Sequence, residues 1–234
     1  MKTESSLRIT SKDNVTVIPK RPSNHMIHPH TRLVYINDEI GYGVFATAFI
    51  PKGTITYVKD TLELEISPEE FHTHNEELQK AIDKYSYIDE RGYRIISWDF
   101  GKYVNHCCNC NTMSTGFGFE IAIRDIQPGE EITDEYGLFN IIEPMRLNCT
   151  KGECRGTVCK EDIDRYHVVW DEKVKAALAF LNEVDQPLMS FIDPSTMKAI
   201  ERYMQDPSNY ISVANLKFDP SKYNGLMAKK GIKS

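Results

Sequence analysis

The chain has no run of apolar residues long enough to cross a bilayer, and its start, MKTESSLRITSKDN, carries no apolar stretch of the secretory kind. Both absences set the expectation of an intracellular protein that does not use a membrane. Nor is there an excess of positive charge. Its 34 acidic and 28 basic residues give a formal net charge of -6, which argues against direct nucleic-acid binding and suits attraction to a basic substrate. No Gly-x-Gly-x-x-Gly opens a helical pattern, so a doubly wound nucleotide fold is disfavoured. No internal repeat and no low-complexity block is found.

The 234 residues suffice for one large domain, or a domain with a helical appendix, with a sizeable core. Residues 1–29 are polar, carry Pro19, Pro22 and Pro29, and read as a tail. Short β-type runs follow at Leu33–Ile36, Val44–Ile50 and Thr54–Val58, separated by Gly41-Tyr42-Gly43 and by the turn Pro51-Lys52-Gly53. Ser67-Pro68-Glu69-Glu70 is a helix start, and Leu78, Ile82 and Tyr85 continue at helical spacing. Strand character returns at Tyr93–Ser97, Gly118–Arg124 and Glu131–Tyr136, with a type II turn expected at Gln127-Pro128-Gly129-Glu130. Beyond Cys159, Val174, Ala177, Leu178, Leu181 and Val184 share a helical face that Asp171 would cap. Met197, Ile200, Tyr203 and Met204 form a second stripe after Asp193-Pro194-Ser195. The sequence therefore predicts a mainly β domain with a helical insert, followed by an α-helical C-terminal extension. Those stripes are too apolar for solvent and should cover the domain or form a homodimer contact.

All six cysteines lie between Cys107 and Cys159. With no export signal, clustered thiols read as metal ligands or free core thiols rather than as disulfides. The sequon at Asn148-Cys149-Thr150 is then accidental. Three of the six fall within Gly101–Asn111 (GKYVNHCCNCN), the most chemically loaded stretch of the chain. Histidine beside cysteine raises a thiol-nucleophile reading, but adjacent residues on one strand do not face each other as that chemistry requires.

This stretch resembles the N-H-S-C-x-P-N signature of the SET domain, with Asn105, His106, Cys107, Cys108, Asn109, Cys110 and Asn111 in its places; serine and proline are both cysteine here. Three companions occur in the family's order: Gly41-Tyr42-Gly43, Gly129–Gly137 (GEEITDEYG) and the segment Cys149–Cys159. Together they span about residues 30–160. The resemblance implies a SET-type β-clip-like fold in which the Asn105 and Tyr136 segments cross as a pseudoknot. It further implies S-adenosylmethionine as methyl donor and the lysine of a protein substrate as acceptor. The domain division it suggests is a tail at 1–29, the SET domain at 30–146, a post-SET cysteine segment at 147–160 and the helical extension at 161–234.

By the same resemblance, Gly41, Tyr42, Gly43, Asn105 and His106 contact the cofactor, as does Tyr103 unless it serves packing alone. Tyr136 is the catalytic residue. A lysine ammonium has no lone pair and an ordinary pKa of about 10.4, so the site must help it lose a proton before a fixed hydroxyl orients the amine. Asp134 stands where the family often has Tyr or Phe, a position that helps set how many methyl groups are accepted. Glu130 and Glu131 read as solvated residues. The post-SET pattern C-x-C-x4-C followed by Arg-Gly, plus the motif cysteine, implies one zinc ion. Here Cys108, Cys149 and Cys154 match, Leu147 replaces one ligand, and Cys159, in preference to Cys110, takes its place. A catalytically inactive SET-fold binding module is the alternative to an enzyme.

Overall fold

The computed structural model describes residues 25–147 and 154–223. Its first strands, β1 (Thr31–Asn37) and β2 (Gly41–Ala46), form an antiparallel hairpin with Tyr35 opposite Tyr42. After β3 (Ile55–Val58) comes an insert of β4 (Leu64–Ile66), α1 (Pro68–Thr73), α2 (Glu76–Tyr85), β5 (Tyr87–Ile88) and β6 (Arg94–Ile96). The remaining strands are β7 (Asn105–His106), β8 (Thr112–Ser114), β9 (Phe119–Ala122), β10 (Glu131–Asp134), β11 (Met145–Arg146) and β12 (Thr157–Val158), before α3 (Asp162–Leu178) and α4 (Pro194–Gln205).

The strands form three small sheets, ordered β1-β2-β10-β7, β3-β9-β8 and β4-β6-β5, and a two-stranded β11-β12 ladder. This is the mostly β, SET-like architecture with helices inserted and appended. The expected helical stretch is two helices because the chain is capped twice. Ser67 Oγ accepts from Glu70 N–H, and Asn75 Oδ1 accepts from Leu78 N–H. Gln127–Glu130 makes the expected type II turn, with Gly129 at φ 83° and Glu130 N–H donating to Gln127 C=O at 3.0 Å.

Three sequence expectations change. Met26 and Ile27, inside the segment read as tail, are buried and pack with Val44 and Tyr57. Asp171 caps nothing: α3 begins at Asp162, nine residues earlier, and Asp171 is buried within it. Its carboxylate accepts from Tyr210 Oη at 2.8 Å, Val213 N–H at 2.9 Å and Ser212 Oγ at 2.6 Å, which fastens the segment after α4 to α3. Val184 lies beyond the helix end.

The helical extension shares the core of the β domain. Val174, Ala177, Leu178 and Leu181 are within 1% of complete burial and pack with Ile55, Met113 and Ile121. Each large side chain so buried contributes about 1.5–3 kcal/mol. The end of α3 docks on the Pro51–Gly53 turn, where a Cβ on Gly53 would lie 2.6 Å from Phe180 Cβ and the φ of 91° also favours glycine. Gln186 closes that contact, donating to Gly53 C=O at 2.7 Å and accepting from Ile55 N–H at 2.8 Å.

Candidate active site

The polar motif and the strand that ends in Tyr136 become neighbours through parallel pairing. Thr133 lies beside Asn105, and Asp134 beside His106. Successive strand residues face opposite ways, and the two motif side chains divide accordingly. Asn105 Nδ2 donates to Tyr42 C=O at 3.1 Å and to Glu131 Oε1 at 2.8 Å. His106 turns toward Tyr136, their rings 5.4 Å apart.

The His106 ring is neutral, since burial lowers its pKa. Tyr136 N–H lies 3.2 Å from Nδ1, as does Asp134 C=O. A backbone N–H only donates, so Nδ1 is the acceptor and Nε2 carries the hydrogen, aimed at Cys108 Sγ 3.4 Å away. The imidazole thus braces the turn that presents Tyr136.

On the Asn105 face lies a train of rings. Tyr35, Tyr42, Tyr103 and Tyr85 follow one another edge to face at centroid spacings of 5.5, 5.6 and 5.6 Å. Tyr42 and Tyr35 are 45% and 52% exposed, large for tyrosines in paired strands. Gly43 has no room for a side chain, because a Cβ there would lie 2.6 Å from Glu131 Oε1 and 3.1 Å from Asn105 Nδ2. Open ring faces, an anchored amide and a carboxylate suit a cofactor that is both aromatic and cationic. The residues therefore fit S-adenosylmethionine.

Beyond Tyr136 is a cavity of about 590 Å³, lined by Tyr85, Tyr87, Val104, Glu120, Asp134 and Tyr136 among others. It adjoins a second cavity of about 300 Å³ across the shared wall of Tyr57, Tyr87, Glu120 and Phe139. Tyr136 Oη donates to Val104 C=O at 2.7 Å. That bond uses the hydroxyl hydrogen and leaves oxygen lone pairs to accept. Burial raises the Tyr136 pKa well above its ordinary value, so the group acts as a neutral phenol.

The cysteine segment reaches this centre through charge. Arg155 donates from both terminal nitrogens to the Glu135 carboxylate, at 2.7 and 2.6 Å, and its Nη2 lies 3.3 Å from Asp162 Oδ2. The guanidinium also sits over the rings of Tyr166 and Trp170, at 5.1 and 5.7 Å. Glu135 is fully buried and also caps the Tyr136–Leu138 3-10 turn through Gly137 N–H.

The expected zinc set is not assembled by the described residues. Cys108 lies against Cys154 and accepts from Arg155 N–H at 3.4 Å, but Cys159 donates its thiol to Asp162 Oδ1 at 3.1 Å. Cys110 is buried in the apolar core, which raises its pKa, and Cys107 is buried there too. Cys149 lies outside the described residues. Among the described residues no group of three or more His, Cys, Asp or Glu could hold a metal ion. The two thiols present do not fit a closed tetrahedral site.

Five contributors were not foreseen from the sequence. Glu131, read as solvated, anchors Asn105, and Glu120 lies in the cavity wall as part of an unremarkable strand pattern. Arg155 and Glu135 find one another across twenty residues, which no local spacing signals. The Val104 carbonyl carries no sequence signal at all. Among the described residues no helix is long and apolar enough to cross a membrane.

The histone-lysine N-methyltransferase Set2 of Drosophila melanogaster is 26% identical over 154 residues, 59% of this chain and 6% of that protein. A variant-silencing SET domain-containing protein of Plasmodium falciparum is 26% identical over 213 residues, 81% of this chain and 8% of that protein. The chain thus spans less than a tenth of the length of these relatives. The methyltransferase domain of the human histone-lysine N-methyltransferase SETMAR aligns with a TM-score of 0.40 and 17% identity, covering 56% of this chain and 58% of that one. Residues 41–137, from the glycine pair at Tyr42 to the glycine after Tyr136, match the SET domain family.

Proposed function

We propose that this protein transfers a methyl group from S-adenosylmethionine to the ε-amine of lysine in a protein substrate. The observation that carries the reading is the placement of Tyr136, with a ring face and an anchored amide on one side and a cavity on the other. When bound, the cofactor supplies an electrophilic methyl group on a positively charged sulfur. Tyr35 and Tyr42 offer exposed rings to that charge, and Glu131 holds the Asn105 amide in place. Tyr136, its hydrogen engaged by Val104, presents an oxygen that accepts from the incoming amine and fixes its direction of attack. Tyr85, Tyr87 and Phe139 shield the acceptor from water. The net charge of -6 favours a lysine-rich partner.

Incubating the full chain with tritiated S-adenosylmethionine and core histones or a whole protein extract, followed by mass spectrometry, tests the activity. Methylated lysines are expected. Tyr136→Phe should bind the cofactor in calorimetry within about twofold of the original chain while losing about 10²-fold in turnover, the scale of a misplaced reacting group. Full turnover in Tyr136→Phe would remove the residue from the reaction. Cofactor binding without any transfer would make the chain a binding module.

A further inference from the structure

Methyl transfer leaves one requirement unassigned: the acceptor arrives as an ammonium and must lose a proton. The cavity beside Tyr136 has an acidic wall. Glu120, at the centre of the β3-β9-β8 sheet, stands between Tyr57 on β3 and Ser114 on β8. Its carboxyl is hydrogen-bonded to that of Asp134 on β10, and both residues line the cavity with Tyr136. Asp134 is 1% exposed and held by two further donors, Glu135 N–H at 2.7 Å and Ser114 Oγ at 3.3 Å. Two carboxyls in hydrogen-bond contact share a proton, because two adjacent negative charges in a buried site repel.

We propose that Glu120 and Asp134 form a proton-sharing carboxyl pair that receives the cationic side chain of the substrate and takes its proton before methyl transfer. This rests on the lysine methyltransferase reading. The pair holds one proton, on Glu120, and one negative charge, on Asp134. The ammonium N–H gives its proton to the free oxygen of Glu120 as the Glu120 O–H passes its own to Asp134. One N–H bond and one O–H bond break while two O–H bonds form. The pair becomes neutral, and the amine gains a lone pair for the methyl carbon. After transfer the pair returns the proton to solvent through the cavity. Glu120 is the group that touches substrate, and Asp134 is a positioning residue that acts through it.

The charges around the pair support this assignment. Burial and the neighbouring Asp134 charge push the Glu120 pKa well up, and burial raises Asp134 to about 6, so the pair is poised to hold one proton near neutrality. Tyr57, Tyr87 and Tyr136 face the pair as neutral phenols, their pKa values raised by burial. Glu63 and Asp99 push the Glu120 pKa further up when ionised, Glu63 only as pH passes about 7, and Glu135 beside Asp134 is neutralised by Arg155. The cationic side chains of the lining are engaged by other groups of the same wall. Arg94 pairs with Asp83, Lys102 donates to Ser97 C=O, and Lys84 sits over the Tyr85 ring. A substrate cation supplies the missing positive charge.

Two measurements on the full chain test the pair. The first titrates n-butylamine, a mimic of the lysine side chain, and n-butanol as a neutral isosteric control, by NMR of ring protons in the cavity. The original chain should bind the amine at least tenfold more tightly than the alcohol, and Glu120→Gln should abolish that preference. The second records methyl transfer to core histones against pH. In the original chain the rate should rise with pH through about 6 as the pair loses its second proton. Glu120→Gln and Asp134→Asn should lose about 10²-fold at pH 7, as expected for loss of a general base. Their rates should then climb toward the lysine's own pKa, with cofactor affinity unchanged. Equal affinity for amine and alcohol in the original chain would overturn the proposal, as would original pH profiles in both variants. Absence of transfer in the original chain would refute the methyltransferase reading alone, because the amine titration still reports on the pair.

Discussion

Replacing Arg155 by methionine should destabilise the protein more than any surface substitution, for reasons visible at Glu135. That carboxylate has no solvent exposure and receives two guanidinium hydrogen bonds at 2.7 and 2.6 Å, while Asp162, equally hidden, lies 3.3 Å from the same Nη2. Methionine keeps most of the packing against Tyr166 and Trp170 but leaves the buried Glu135 carboxylate without its cation, and leaves Asp162 only Arg165, 3.8 Å away. Breaking a buried pair in this way costs about 3–5 kcal/mol. Against a total of about 5–15 kcal/mol, that is a large part of the stability of a domain. Urea unfolding followed by circular dichroism at pH 7 reads the loss directly. A second variant, Glu135→Gln with Arg155→Met, should recover about half of it, because the amide still accepts from Gly137 N–H and carries no charge. A loss below about 1 kcal/mol for Arg155→Met would refute the reasoning, since it would mean the pair is worth no more than an exposed one. A double variant as unstable as the sum of its parts would show that the ring contacts matter and the charge does not.

Asp171→Ala should cost about 3 kcal/mol, because it strands the donors Tyr210 Oη, Ser212 Oγ and the buried Val213 N–H, each worth about 1–3 kcal/mol unsatisfied. Faster hydrogen exchange confined to residues 210–216 would accompany it, and unchanged exchange there would remove Asp171 as the fastening point. Glu63 gives a pH prediction. Burial raises its pKa from 4.5 to about 7, and its Oε2 has no hydrogen-bond partner among the described residues. Between those values the folded chain holds a proton that the unfolded chain has released, so this group's contribution to stability falls as pH rises from about 4.5 to 7. Glu63→Gln, whose amide oxygen still accepts from Tyr57 Oη, should therefore be near neutral at pH 4.5 and stabilising at pH 8; equal effects at both would contradict the assignment.

Most of the β architecture is legible because its signals are local. Strand runs at Val44, Thr54 and Glu131 are bounded by glycine and proline, and the turn at Gly129 needs only its own four residues to be recognised. The second C-terminal helix is legible for the same reason, its cap Asp193 accepting from Ser195 and Thr196 N–H as the Asp-Pro-Ser sequence suggests. The first is misjudged at its start because Asp171 is a good cap by type. Its carboxylate is claimed instead by Tyr210, Ser212 and Val213, some forty residues on. Motif spacing likewise singles out Asn105, His106 and Tyr136, but not the partners that hold them.

The sequence by itself determined the short strands, the turns and the order of motifs that marks a SET domain, since each depends on neighbouring residues and on backbone chemistry. Only the tertiary structure decided which side chains share one site. Parallel pairing of β7 with β10 brought His106 against Tyr136 and Asn105 against Glu131. It also set Arg155 on Glu135, and Glu120 against Asp134 in the cavity wall. Charges and carboxyls interact at a distance in space and without regard to distance along the chain. Their effect depends on how much water the fold removes from between them.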